Sequence, residues 1–337
     1  MAEPRSPAAR KGDRPTAPAR TPRGVDRLGA AMVDLSLDPI ARPSEQERAL
    51  MLSLLSGLVG QIAEELQLRL PPGATDEVDA EALVAQLRSS GLFTRDLVGL
   101  LVRRADLLAF RAAALHQDQG GLLQAWAADP EPSIASAAMA VVIARASARD
   151  RFGRPGLTLA DCDAETAVAL TYAVAAALAG PTESLVAAAV DLLARHDEGD
   201  RLDAREARLM VALEQAGRLD GPLLLSLATH GEAGLLAEGL SRLARIPASV
   251  AWQMLTGTDE HAIGRLLRLA EINRSLAAGL IAALSNGRGL REPGEAMAAF
   301  DAMASSEEIA EARAYIRLPG AFILARRALE KHGQRGA

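Results

Sequence analysis

The sequence predicts an all-α protein built of stacked helical hairpins. Three observations carry this. Hydrophobic residues make up 49% of the 337-residue chain and aromatics only 3%; the apolar share is mostly Ala and Leu, which are strong helix formers. β-branched clusters and alternating apolar runs, the marks of strands, are scarce. One stretch also occurs twice: Leu240-Ser-Arg-Leu-Ala-Arg-Ile-Pro-Ala-Ser249 returns as Leu266-Leu-Arg-Leu-Ala-Glu-Ile-Asn-Arg-Ser275, 26 residues on. Leu227 and Leu235 fall on Leu255 and Ile263 at a shift of 28. A period of this length reads as helix pairs that bury their apolar faces against neighbouring pairs.

The elements follow in order. Residues 1–24 hold five prolines and six basic residues against Glu3 and Asp13, a net charge of +4. They carry too little apolar surface to offset ordering entropy, and read as a disordered Pro/Arg-rich tail. The chain totals −6, so the rest carries about −10. Ser44-Glu-Gln-Glu47 is a capping box that opens a helix to about Leu70, ended by Pro71-Pro72. Within it, 49–63 is uncharged and apolar on most sides. That marks a core helix, or else an interface with a second copy of the chain. Helices are expected next over 75–91 and 94–117, then Ser133–Arg149 after Asp129-Pro-Glu-Pro132. Gly153, Pro155 and Gly156 suggest a boundary. The expected regions are therefore a helical one over 25–157, a repeat region over 158–291 and a helical cap over 292–337.

Beyond the boundary, helices are predicted over Thr158–Ala179, Thr182–His196, Arg201–Gln215, Pro222–Thr229, Ala233–Arg245, Ala248–Leu255, Glu260–Glu271 and Ser275–Leu284. A Gly-rich break follows at Asn286–Gly294. Ser305-Ser-Glu-Glu308 opens another helix, and a last one follows Pro319-Gly320. Leu236, Leu240 and Leu243 share one helix face, as do Ile263, Leu266, Leu267 and Ala270 one unit later. A single pair of short helices is marginal alone, whereas stacking makes one continuous core and leaves long outer faces.

Leu213, Gly217, Leu219, Leu224, Leu227, Gly231, Leu235, Leu240, Leu243, Ile246 and Pro247 form a spaced Leu/Gly pattern ending in Pro. With these residues, Met210–Leu284 resembles the bacterial domain-of-unknown-function family two-three-three-six; residues 1–40 and 290–337 lie outside the resemblance. It implies a HEAT/armadillo-like helical array, here expected as a right-handed superhelix or solenoid. It supplies no catalytic residues.

The chemistry-bearing residues form no catalytic constellation. No zinc-ligand spacing joins His116, His196, His230, His261 and His332. His196-Asp197-Glu198 with Asp200 has ligand-type atoms but sits where a helix should end. Cys162, the only cysteine, lies between Asp161 and Asp163, which raise a thiol's pKa and weaken it as a nucleophile. A lone thiol with no apolar leader suggests a reducing, cytoplasmic setting. No phosphate-binding loop and no convincing membrane span is found. Arginines cluster at 103, 104 and 111, at 145, 149, 151 and 154, and at 265, 268 and 274.

The function expected is that of a non-enzymatic scaffold or adaptor, without cofactor or metal, binding a protein or peptide on a helical face. Trp252, His230, His261, Arg265 and Arg268 are the candidate contact residues, with core packing as the competing role for Trp252. The alternatives are nucleic-acid binding through the arginines and the basic tail, which the acidic body disfavours, and, behind it, a metal-dependent hydrolase around His196.

Overall fold

Ser44 starts the first helix among the described residues, as its spacing predicts. Its Oγ accepts from the Glu47 N–H (3.2 Å), and the Glu47 carboxylate accepts from the Ser44 N–H (2.6 Å). The computed structural model describes residues 43–71, 79–91, 93–114, 121–149, 153–257, 259–288, 292–303 and 305–318, with Phe322, Arg326 and Leu329 beyond them. The expected tail over 1–24, the helix after Pro319-Gly320, and His116 and His332 lie outside the described residues.

Among the described residues the protein is all-α. The helices are α1 (Glu45–Gln67), α2 (Ala80–Ser89), α3 (Arg95–Ala113), α4 (Gly121–Ala127), α5 (Pro132–Ser147), α6 (Ala164–Ala177), α7 (Thr182–Leu193) and α8 (Leu202–Gln215). They continue with α9 (Gly221–Thr229), α10 (Ala233–Ala244), α11 (Ala248–Thr256), α12 (Glu260–Leu269), α13 (Arg274–Arg288), α14 (Pro293–Ala302) and α15 (Ser306–Ile316). Short 3₁₀ turns precede α6 and α8. No strand occurs among these residues, only an isolated bridge between Arg149 and Pro155.

Three expectations shift. The Thr158 capping box closes a 3₁₀ turn at Leu159–Asp161, and α6 begins at Ala164, capped by Asp163. The Gly-rich break is narrower, because α13 runs on to Arg288 and Pro293 starts α14. Pro suits a first helical turn, where its missing N–H costs nothing. And α4, carrying Trp126, fills a stretch for which no helix was expected.

The described elements fall within one contact unit, Ser44–Ala337, around two apolar cores. The first joins Leu54, Leu58, Ile62 and Leu66 of α1 to Leu87, Leu97, Leu101, Leu170, Val174 and Leu185. α1 is long and apolar enough, by length and composition alone, to cross a bilayer; its Leu54, Leu55, Leu58, Val59, Ile62, Ala63 and Leu66 are buried within this core. The second core joins Phe110, Trp126, Ile134 and Val141 to Met210, Leu224, Leu240, Leu266, Leu280 and Phe300. The cores interleave along the chain: α4 and α5 join the later helices, while α6 and α7 pack with α1 and α2. Helix α10 sits innermost, touching α3, α8, α9, α11 and α12. Its residues Ala233–Ser241 are all buried, so it is enclosed on nearly every side.

Four helices of the second core end in the same turn. After α8, α9, α10 and α12, the chain takes a left-handed residue at Gly217 (φ 69°), Gly231 (φ 69°), Arg245 (φ 54°) and Glu271 (φ 56°). Each time the next N–H bonds back five residues: Arg218 to Leu213 (2.8 Å), Glu232 to Leu227 (2.9 Å), Ile246 to Ser241 (3.0 Å) and Ile272 to Leu267 (3.1 Å). This is the Schellman closure, which satisfies carbonyls left over at a helix end. Arg245 and Glu271 stand at equivalent places in the duplicated segment, and Ile246 and Ile272 after them are both buried.

Candidate functional surface around α5

Helix α5 has one charged residue, Arg145. Ile134, Ala138 and Val141, at spacings of four and three, point into the second core and are fully buried. Arg145 continues that inward face by four more residues, so its guanidinium is carried inside. It donates through Nη1 to Glu232 Oε1 (3.0 Å), and through Nη2 to Glu232 Oε2 (2.6 Å) and Glu206 Oε1 (2.9 Å). Arg111 of α3 donates to Glu232 Oε2 at 3.3 Å. The side chains of Glu206 and Glu232 are 1% and 5% exposed. One ion network thus ties α3, α5, α8 and the turn before α10.

The electrostatics follow from burial and pairing. Burial alone disfavours the charged guanidinium of Arg145, but the Glu232 and Glu206 carboxylates outweigh it and raise its pKa. Burial pushes Glu232 up, yet Arg145 and Arg111 pull it below the usual carboxylate range. Arg111 is lowered, first by burial and then by the like charge of Arg145. Gly231 lets the turn come this close: a Cβ there would meet Phe110 O at 2.7 Å and Ala114 Cβ at 2.8 Å.

The other face of α5 is exposed and uncharged. Ser136, Met139, Ile143 and Ala146, at spacings of three, four and three, form one stripe about 15 Å long. Met139 and Ile143 are 45% and 52% exposed. A surface helix usually turns charges outward, so this face is unusual. A cleft of about 470 Å³ lies beside the first half of α5, lined by Ser133, Ser136, Ala137 and Ala140 with Asp200, Arg205 and Arg208. A second, of about 360 Å³, lies beside the second half. Ala146 joins Arg111, Arg145, Arg149, His230 and Glu232 in its wall. Similar exposed pairs occur at Val98/Val102 on α3, Val168/Tyr172 on α6 and Val186/Val190 on α7.

The residues singled out in the sequence are distributed as follows. His230 caps α9, its Nδ1 2.7 Å from Ser226 O, and lines the second cleft. Trp252 is 8% exposed and lies in the second core, with the Arg103 guanidinium 4.7 Å from its ring centroid. It takes the packing role. His261 lies in the first turn of α12, and its Nε2 is 3.3 Å from Glu295 Oε2. Arg265 is 3.7 Å from Asp259, and Arg268 donates to Met303 O at 2.7 Å. His261, Arg265 and Arg268 therefore share α12, and none of them lines the cleft of His230. Of the other clustered arginines, buried Arg104 pairs with Asp161 (2.7 Å) and Arg274 with Asp301 (2.9 Å).

The remaining reactive groups are committed to local structure. Cys162 is fully buried, and burial first, then Asp161 and Asp163, push its thiol up to about 12. Beside His196, Glu198 accepts the Ala164 N–H (2.6 Å), Asp197 accepts the Gly199 N–H (2.7 Å) and Asp200 accepts from Arg205 (2.8 Å). Among the described residues no group of three or more His, Cys, Asp and Glu side chains is placed to hold a metal ion.

The described residues form an all-helical protein with an ion network buried beside its second core. A family model described as "Uncharacterised protein conserved in bacteria (DUF2336)" matches residues 114–317, more than half of the chain. The chain belongs to that family. The match runs well beyond Met210–Leu284, on both sides, and takes in α4, α5, α14 and α15. No curated protein and no solved structure matches the chain.

Proposed function

We propose that this protein is a non-catalytic interaction module that binds a segment of another protein on the outward face of α5. One observation carries the reading: the Ser136–Met139–Ile143–Ala146 stripe is solvent-exposed, free of charge, and flanked by two clefts. Exposed apolar side chains that line up, rather than scatter, mark contact sites. The stripe is also rigidly backed, because Arg145 fixes the inner side of the same helix. A preformed surface loses little entropy when a guest is ordered on it.

The helical array itself is read as a HEAT/armadillo-like right-handed superhelix. In favour are the duplicated segment, the equal burial of Leu240 and Leu266, and the matching turns at Arg245 and Glu271. In such arrays each unit leaves an outer face free for a guest.

The test compares proteins recovered from the native cell on the wild-type chain and on a Met139→Asp/Ile143→Asp variant. A partner retained by the first and lost by the second supports the reading. Identical recoveries, with the variant folded, remove it.

A further inference from the structure

Resting on that docking surface, we infer that its occupant is the same helix of a second copy of this chain, laid antiparallel across α5. Helix α5 is complementary to itself. A twofold contact sets each residue against the one equally far from the axis on the other side. The exposed stripe meets this condition. Ser136, Met139, Ile143 and Ala146 are spaced symmetrically about the level of Val141, with the two small residues outermost and the two large ones inside. In an antiparallel copy Met139 lies opposite Ile143, and Ser136 opposite Ala146. The small residues let the two helices cross closely, and the stripe brings no like charges together.

The ends of α5 favour the same arrangement. Exposed Glu131 caps its N-terminus, and exposed Arg149 stands two residues past its C-terminus. Their distances from the level of Val141 differ by two residues, or about 3 Å of helical rise. An antiparallel copy therefore sets Glu131 of each chain beside Arg149 of the other, and two symmetric ion pairs flank the apolar contact. Within the chain both side chains touch neutral groups: Glu131 accepts from the Ser133 hydroxyl (3.1 Å), and Arg149 donates to the Gly153 carbonyl (2.7 Å). The other exposed apolar pairs lack this combination. Charges run along α3, and α6 has Glu165 with no basic residue in its last turn. On α7, Asp191 lies between Glu183 and Arg195 and already accepts from Arg195 at 3.4 Å. One helix per copy buries far less than the roughly 1,600 Å² of a stable interface, so the dimer should be weak and concentration-dependent.

Sedimentation velocity of the full chain, from micromolar to millimolar concentration, tests this. The wild type should pass from monomer to dimer across that range. Glu131→Lys and Arg149→Glu should each weaken the dimer about fivefold, by turning both ion pairs into repulsions, and Glu131→Lys/Arg149→Glu together should restore it. Met139→Asp/Ile143→Asp should stay monomeric throughout, with unchanged far-UV circular dichroism. A wild type that stays monomeric overturns the second copy as guest, and leaves the docking surface to be judged by protein recovery on the paired-aspartate variant. A dimer untouched by the paired aspartates, or a double charge reversal no tighter than the single ones, also overturns the antiparallel α5 contact.

Discussion

Arg145 and Glu232 stand 87 residues apart in sequence and meet at 2.6 Å inside the protein. The pair joins the last turn of α5 to the turn between α9 and α10. Glu206 completes it from α8, so the helix that presents the exposed stripe is held from within by charge.

Removing the guanidinium should therefore be severe. Arg145→Leu leaves Glu206 and Glu232 buried without their main counter-charge, and should cost about 3–5 kcal/mol in urea unfolding. Arg149→Gln, exposed just beyond the C-terminal end of the same helix, should stay within about 0.5 kcal/mol of the wild type. Equal losses from the two substitutions would show that the network does not anchor α5.

The helix-end turns give opposite predictions for two left-handed residues. Gly231→Ala places a Cβ against the Phe110 carbonyl at a φ of 69°, and should destabilise the protein by more than about 1 kcal/mol. Arg245→Gly relieves a non-glycine left-handed residue and should stabilise it by up to about 1 kcal/mol. The Arg245 carbonyl, which accepts from Arg317 at 3.0 Å, is unchanged by the substitution. Thermal melts of both variants check the signs.

Stability should also respond to pH through Glu238 of α10. Burial, which dominates, with Glu206 and Asp203, raises its pKa to about 7 from an ordinary 4.5, against the opposing pull of Arg103 and Arg242. The folded protein then holds a proton that the unfolded chain has released, so stability falls as pH rises from about 4.5 to about 7. The depressed carboxylates of Asp129, Glu232, Glu271 and Asp301 act below that window, where falling pH removes their contribution. Urea unfolding across the window should slope downward for the wild type and flatten in Glu238→Gln. Parallel slopes would contradict this assignment.

Much of the helix order was legible because its signals are local. The Ser44 and Ser305 boxes close as their spacing predicts, and Leu240 and Leu266 are buried. α14 was hidden because Gly and Pro mark breaks and helix starts alike, and Pro293 is a start. The surface was harder to read. An Ala-rich, uncharged helix looks buried on all sides, and only three-dimensional packing shows that Met139 and Ile143 face outward. One local clue was present: a single arginine in an otherwise uncharged helix implies an inward charge with distant acidic partners. Those partners, Glu206 and Glu232, lie 61 and 87 residues away and have no sequence spacing to announce them. His230 lines a cleft, whereas Trp252 is drawn into the core because so few other side chains are large enough to fill it.

Photo-crosslinking in the native cell tests the central claim most directly. A benzophenone amino acid is placed at Met139, at Ile143, or at the exposed control position Glu307 of α15. The account predicts a shared, discrete protein adduct from Met139 and Ile143 that is absent from Glu307. No adduct from the α5 positions, or the same adducts from all three, would contradict it.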